Sequence, residues 1–243
     1  MKKQLFKVGA LALVLSFASC AELQQAANNL PKDILSQSQE LTSTQIGNGL
    51  KEALEKGVRV EVSKLAMEKG FYNNPVAKIN LPKDLQKVDS KLRDIGLGNV
   101  ADKGIEKLNE AASEAVKEAT PIFVEAIKGM SFQDAKKILL GNDDAATLYL
   151  ESKTEVSLQS KFEPIIKKSF DKVGANDIWE TIIKKYNAIP FADDINPDLT
   201  DYVTKEALKG VYKMIAIEEL KIREDVKERT SDLMKKVFAL QDK

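Results

Sequence analysis

The sequence predicts an all-α protein, a single multi-helix domain preceded by a signal peptide and a short tether. Three observations predict it. From about residue 45 onward, apolar residues recur at three- and four-residue intervals, the period of an amphipathic helix. No Gly/Ser-rich linker and no internal repeat divides that stretch. The first twenty residues differ in kind: Lys2, Lys3 and Lys7 precede or open an apolar run that leads to the single cysteine, Cys20.

That leading segment has the form of an address. Val8 to Leu15 is apolar apart from Gly9, too short for a transmembrane helix of about 20 residues but suited to a secretory signal. Ala18 and Ser19, both small, stand directly before Cys20 and resemble a bacterial lipoprotein signal. In such a signal, cleavage before the cysteine is followed by diacylation of its thiol and acylation of the new amino terminus. Phe17 stands where Leu is usual. The alternative is a plain signal peptide followed by a free cysteine, but a lone cysteine in an exported chain calls for an explanation, and acylation supplies one. The expected division is therefore a signal peptide over 1–19, a lipid-anchored tether over 20–44 and a helical domain over 45–243. Two or three acyl chains of the palmitate type would anchor it stably, each buried CH₂ contributing about 0.8 kcal/mol. The expected location is the bacterial cell envelope, in the outer membrane and facing the periplasm. Loss of Lys2, Lys3 and Lys7 leaves the mature chain with three more acids than bases, and no polybasic patch for anionic headgroups. Ala21 to Thr44 is rich in Gln, Asn, Ser and Ala and, if flexible, spans roughly 25–30 Å.

The helices follow in order. Leu50, Leu54, Val58, Val62 and Leu65 form the first stripe, although the alternation from Val58 to Val62 would also suit a strand. Asn73-Asn74-Pro75 marks a loop from Phe71 to Leu81, and Leu81-Pro82 opens the next helix with Pro at its first position. Leu85, Val88 and Leu92 face inward there, and Gly96 stops it. A long pattern runs from Ile105 to Ile127, with Pro121 predicting a kink or break. Ser131 to Asp134 resembles a capping box in which Asp replaces Glu or Gln, and its helix ends at Gly141. Asn142, Asp143 and Asp144 can cap the next helix, through Tyr149 and beyond. Further stripes follow: Leu158 to Phe170 with Pro164 inside, then Trp179, Ile182, Ile183 and Tyr186. After a loop over 188–197 comes a long amphipathic helix from Leu199 to Ile222, then a last helix burying Leu233, Val237 and Phe238.

Composition removes several function classes. The chain has 37 Lys and Arg, 37 Asp and Glu, no His and one Cys. Without His there is no Ser-His-Asp or Cys-His mechanism and no His-ligated metal. One Cys excludes an internal disulfide framework and a cysteine metal cluster. Balanced charge argues against nucleic acid as a partner. No Walker loop, GxGxxG, HExxH or GxSxG is present, so neither catalytic residues nor a cofactor or metal is expected.

Two polar groupings are the candidates for a site. The first is Asp143, Asp144, Thr147 and Tyr149 at a helix start, with Asp134 in the preceding helix. Asp143 and Thr147 can share a face. The grouping suits a cation or polar ligand, or general acid–base work; equally, Asp at a helix start serves as a cap. The second is Glu218, Glu219 and Arg223, where Glu219 and Arg223 stand four apart in the favourable order. This is either a carboxylate–Arg site lining a cleft or a surface pair worth under about 1 kcal/mol. A buried Glu218 would need a partner. Asp225 and Arg229 repeat the spacing, which favours the structural reading. The aromatic residues Phe71, Tyr72, Tyr202 and Tyr212 suit the core.

Several segments taken together are specific: Gly49 to Leu54, Leu81-Pro82, Asn109 to Ala112, Pro121 to Phe123, Asp143 to Thr147 with Tyr149, Tyr202 to Thr204, Glu218-Glu219 with Ile222-Arg223, and Lys236 to Phe238. They resemble the bacterial family designated domain of unknown function 4197, over nearly the whole helical domain. Val226 departs from it, since Pro often follows the Asp found here at 225. The resemblance implies an α-helical, envelope-associated, frequently lipoprotein-like protein and supplies no activity. The expectation is thus a lipid-anchored binding or scaffolding module, its partners being the membrane, through acyl chains on Cys20, and an envelope protein or a small amphiphilic ligand. A carrier holding an apolar or amphiphilic ligand between helices is the second class, and a carboxylate-based enzyme the third.

Overall fold

The first helix starts earlier than its apolar stripe suggests, because Thr42 closes a capping box. Gln45 N–H donates to Thr42 Oγ1 at 3.2 Å, and Thr42 N–H donates to Gln45 Oε1 at 2.9 Å. Helix α1 then spans Ser43–Ala66, so the end of the expected tether is helical. The computed structural model describes residues 41–173, 175–188 and 199–242. The expected signal peptide, Cys20, the tether up to residue 40 and the loop over 189–197 lie outside them. From Leu41 onward the chain forms one unit, and among the described residues it is all-helical, with nine α-helices.

Val58 and Val62 are buried with Leu50, Leu54 and Leu65, while Val60 is only partly covered. The helical stripe therefore overrides the short strand-like alternation. Helix α2 (Lys83–Asp94) has Pro82 at its N-cap, one position before the expected place. It buries Leu85, Val88 and Leu92, and is followed by Gly96 at φ +79°, a conformation in which a side chain is strained. The long pattern divides into α3 (Gly98–Val116) and α4 (Ala119–Lys128). The break falls where Pro121 disfavours a continuous helix: it has no N–H, and its ring would crowd the carbonyl of Lys117, four residues back. In the first turn of α4 neither problem arises.

Ser131 and Asp134 form the expected box, with Asp134 N–H to Ser131 Oγ and Ser131 N–H to Asp134 Oδ2 both at 3.1 Å, and start α5 (Phe132–Leu139). Helix α6 (Ala145–Val173) continues through Pro164, and α7 is Ala175–Asn187. Helix α8 spans Thr200–Glu224, a 3₁₀ turn follows at Val226–Glu228, and α9 is Asp232–Phe238. Met234, rather than Leu233, is fully buried with Val237 and Phe238.

Helices α1, α6 and α8 form the centre. Helix α8 lies against both α6 and α1; α3 packs on α6 and α7; α4, α5 and α9 cover α1. Close approach fixes two of these contacts. A Cβ at Gly49 would sit 2.6 Å from Val237 Cγ2, and one at Gly210 would sit 3.1 Å from the Phe71 ring. The loop over 71–81 is pinned by Asn109 of α3, whose side chain accepts from Ile79 N–H at 2.8 Å and donates to Ile79 O at 2.9 Å. Among the described residues no helix is long and apolar enough to cross a membrane.

Candidate functional site

Helix α6 begins with N–H groups that have no partner within the helix, and the capping carboxylate comes from another helix. Glu219 of α8 accepts from Ala146 N–H on Oε1 at 2.9 Å; its Oε2 accepts from Thr147 N–H and from the Thr147 hydroxyl, each at 2.8 Å. One turn further along α8, Arg223 donates to Glu219 Oε1 through Nε at 3.0 Å and Nη2 at 2.7 Å. The far edge of the guanidinium donates to Ile138 O at 2.9 Å and Leu139 O at 3.2 Å, carbonyls at the C-terminal end of α5. A single ion pair thus places a carboxylate on the N-terminus of one helix and a guanidinium on the C-terminus of another, the signs each helix dipole favours. Both residues are buried, at 6% and 8% exposure. A buried pair is tolerated when further hydrogen bonds satisfy both partners, and here they do. The same bonds occupy both carboxylate oxygens and both edges of the guanidinium, which leaves the pair poorly placed for general acid–base work.

A second clasp lies beside the first. Arg229, 1% exposed, donates to Ile222 O at 3.0 Å and to Arg223 O at 2.7 Å, closing the end of α8. Its remaining face grips Asp242 through two bonds, 2.6 and 2.7 Å, and the guanidinium holds the Asp242 carboxyl below its ordinary pKa. The Asp225–Arg229 spacing read from the sequence is not the pairing found. Helix α8 ends at Glu224, so Asp225 instead accepts from Lys227 N–H at 2.8 Å and caps the 3₁₀ turn.

Glu218, next to Glu219 on α8, packs against Gly57 of α1 and is 5% exposed with Lys221 at 3.4 Å. Glu61, one turn beyond Gly57, is wholly buried and bonds Lys64 at 2.6 Å, while its Oε2 finds no partner among the described residues. That bond, before the other nearby carboxylates, raises the Lys64 pKa.

Asp143 and Asp144 are exposed. Asp143 lines an open cleft of about 480 Å³ with the edge of Arg223 and with Asp242, whereas Asp144 and Glu218 do not. Asp134 and Tyr149 line a different cleft, about 400 Å³, between α4 and α6. The apolar pocket under Glu219 and Arg223, walled by Leu54, Ile222 and Phe238, is about 20 Å³, room for roughly one water. No group of three or more Cys, Asp or Glu among the described residues could hold a metal ion. The two sequence groupings therefore meet where Glu219 holds Thr147 and where Asp143 shares a cleft with Arg223, while Asp134, Asp144, Tyr149 and Glu218 lie elsewhere.

Residues 40–239 match the model of one protein family, described as protein of unknown function (DUF4197). The chain belongs to this family. Neither the curated proteins nor the solved structures yield a match. The family's span takes in the whole Glu219–Arg223 clasp with the helix ends it joins, and Glu61 with Lys64. It stops short of Asp242, the outer partner of Arg229. Among the buried polar residues of the family's span that were not singled out as site residues from the sequence are Glu61, Asn109 and Arg229. Glu61 carried a signal of its own, since it falls within the apolar stripe between Val58 and Val62.

Proposed function

We propose that this member of the family is a lipid-anchored protein of the bacterial envelope, tethered through acyl chains on Cys20, whose helical domain is a binding or scaffolding module acting through its surface. The lipoprotein-type segment ending at Cys20 supports the anchor. The observation that carries the reading of the domain is the Glu219–Arg223 clasp: the most distinctive polar group of the interior is engaged in joining α5, α6 and α8. The small apolar pocket beside it supports the same reading, because a carrier of an amphiphilic molecule calls for a cavity of about 300 Å³ or more. Asp143 and Asp144 are exposed while Glu218 is buried against Gly57, and this separation likewise weighs against a carboxylate enzyme, which needs its groups within hydrogen-bond reach of one proton.

Native mass spectrometry of the full chain, extracted in detergent from its own cells, tests the module. The expected result is the acylated chain with a protein or polymer partner that exchanges off on dilution. A stoichiometric lipid retained by the domain after the detergent is exchanged would contradict it in favour of the carrier.

A further inference from the structure

The α4–α6 cleft differs from the other clefts in what its polar groups are doing. In the 460 Å³ cleft near Tyr72, Lys69 bonds Glu106, Lys107 bonds Glu110 and Lys117 bonds Glu114. In the cleft near Asp143, Arg223 and Asp242 are engaged by Glu219 and Arg229. Such groups must give up a partner to take a ligand.

Along α6, Tyr149, Lys153 and Ser157 follow one another at four-residue intervals and so line one face. All three border the 400 Å³ cleft, a volume within the range of small-ligand sites. None of their side-chain polar atoms has a hydrogen bond or ion pair with the described residues; the Lys153 ammonium stands 5.8 Å from the Tyr149 ring centre. Burial first, then the Asp134 carboxylate, raises the Tyr149 pKa above its ordinary value, so the phenol keeps its proton and can donate. The facing wall, from α4, is half apolar, with Ile122, and half acidic, with Glu125. At the end of the cleft Asp134 uses Oδ2 for the Ser131 cap, which leaves Oδ1 as an acceptor.

The charges choose the ligand class. One ammonium and two carboxylates border the space, so an anion meets Glu125 and Asp134, and a cation meets Lys153. A neutral molecule carrying many hydroxyls meets neither conflict, because each hydroxyl both donates and accepts. The half-buried Tyr149 ring adds an apolar face with a polar edge, suited to a flat molecule with C–H on its faces and O–H at its rim.

We propose that the cleft between α4 and α6 binds a neutral saccharide, with Tyr149 as platform, Lys153 and Ser157 as donors and Glu125 and Asp134 as acceptors. The proposal deepens the binding-module reading and rests on the domain being a binding module; it is indifferent to the anchor.

The test is saturation-transfer NMR on the full chain in detergent, with tri-N-acetylchitotriose and maltotriose as neutral probes, and glucose 6-phosphate and spermidine as charged ones. One neutral trisaccharide is expected to bind saturably and more tightly than either charged probe, and which of the two binds separates acetamido sugars from plain glucans. Tyr149→Ala should weaken binding about tenfold or more, the scale of a lost stacking contact of about 1.4 kcal/mol. Because Tyr149 is half-buried, the exposed variants Lys153→Met and Ser157→Ala are the folding-neutral check: each should weaken binding about threefold or more, with unchanged circular dichroism. Saccharide binding that all three variants leave intact overturns the site. Tighter binding of a charged probe, or no binding of either trisaccharide, overturns the ligand class. A protein partner found by native mass spectrometry would in that last case leave the module reading standing.

Discussion

Glu219 and Arg223 show how far local spacing can be trusted at the scale of one residue. Four-residue spacing predicts that they can pair, and they do, at 2.7 Å. It says nothing of the Ala146, Thr147, Ile138 and Leu139 groups that the pair also satisfies, because these come from helices over seventy residues away. Glu219→Ala would leave a buried guanidinium unpaired and the first N–H groups of α6 uncapped. The expected loss is about 3–5 kcal/mol, read as a lower urea midpoint. Replacing both residues together, as Glu219→Leu with Arg223→Met, should cost less than the single change, since no buried charge is then stranded. Acid acts on a related set. Asp242 beside Arg229, Asp134 in its cap, Glu106 beside Lys69 and Glu114 beside Lys117 all have folded pKa values below their ordinary ones. A depressed carboxylate contributes stability that is present above its unfolded pKa, about 4, and is lost as pH falls through the lower folded value. The urea midpoint should therefore hold steady near neutrality and drop as pH falls below about 4. Asp242→Asn should reduce the size of that drop.

At the scale of elements, most of the helices were legible because the signals that set them are local. The stripe from Leu50 to Leu65, the break ahead of Pro121 and the Ser131–Asp134 box each lie within a few turns of chain. What joins the elements was not legible. Asn109 pins Ile79 across thirty residues, and Arg229 closes α8 and reaches Asp242. Asp225 and Arg229 misled because a spacing of four means contact only while the helix lasts, and α8 stops at Glu224. Helix α9 depends on one such junction. Replacing a helical Gly by Ala is ordinarily stabilising, but at Gly49 the new Cβ would lie 2.6 Å from Val237 Cγ2, and overpacking reverses the sign. Gly49→Ala should destabilise by about 1–3 kcal/mol, seen as a lower melting temperature, and Val237→Ala in the same chain should recover part of the loss. Ser131→Ala, which removes only the cap of α5, should cost about 1 kcal/mol.

For the whole molecule, the division of labour follows from where the polar chemistry went. The buried charges at Glu219, Arg223 and Arg229 bind helix ends, while Tyr149, Lys153 and Ser157, whose side chains make no hydrogen bond or ion pair among the described residues, stand in an open cleft. On the proposed reading the interior serves the fold, and recognition is left to the surface. The chain has no His, the commonest acid–base catalyst. On the proposed reading the cysteine count takes on a positive meaning, since the single Cys20 is the one position where a thiol can carry the anchor. The intact mass of the full chain, extracted from membranes of its own cells, tests that account most directly. The account predicts a chain that begins at Cys20 and carries a diacylglyceryl group with a further acyl chain, and a Cys20→Ser variant that lacks both. A wild-type chain with no acyl mass on Cys20 would contradict it.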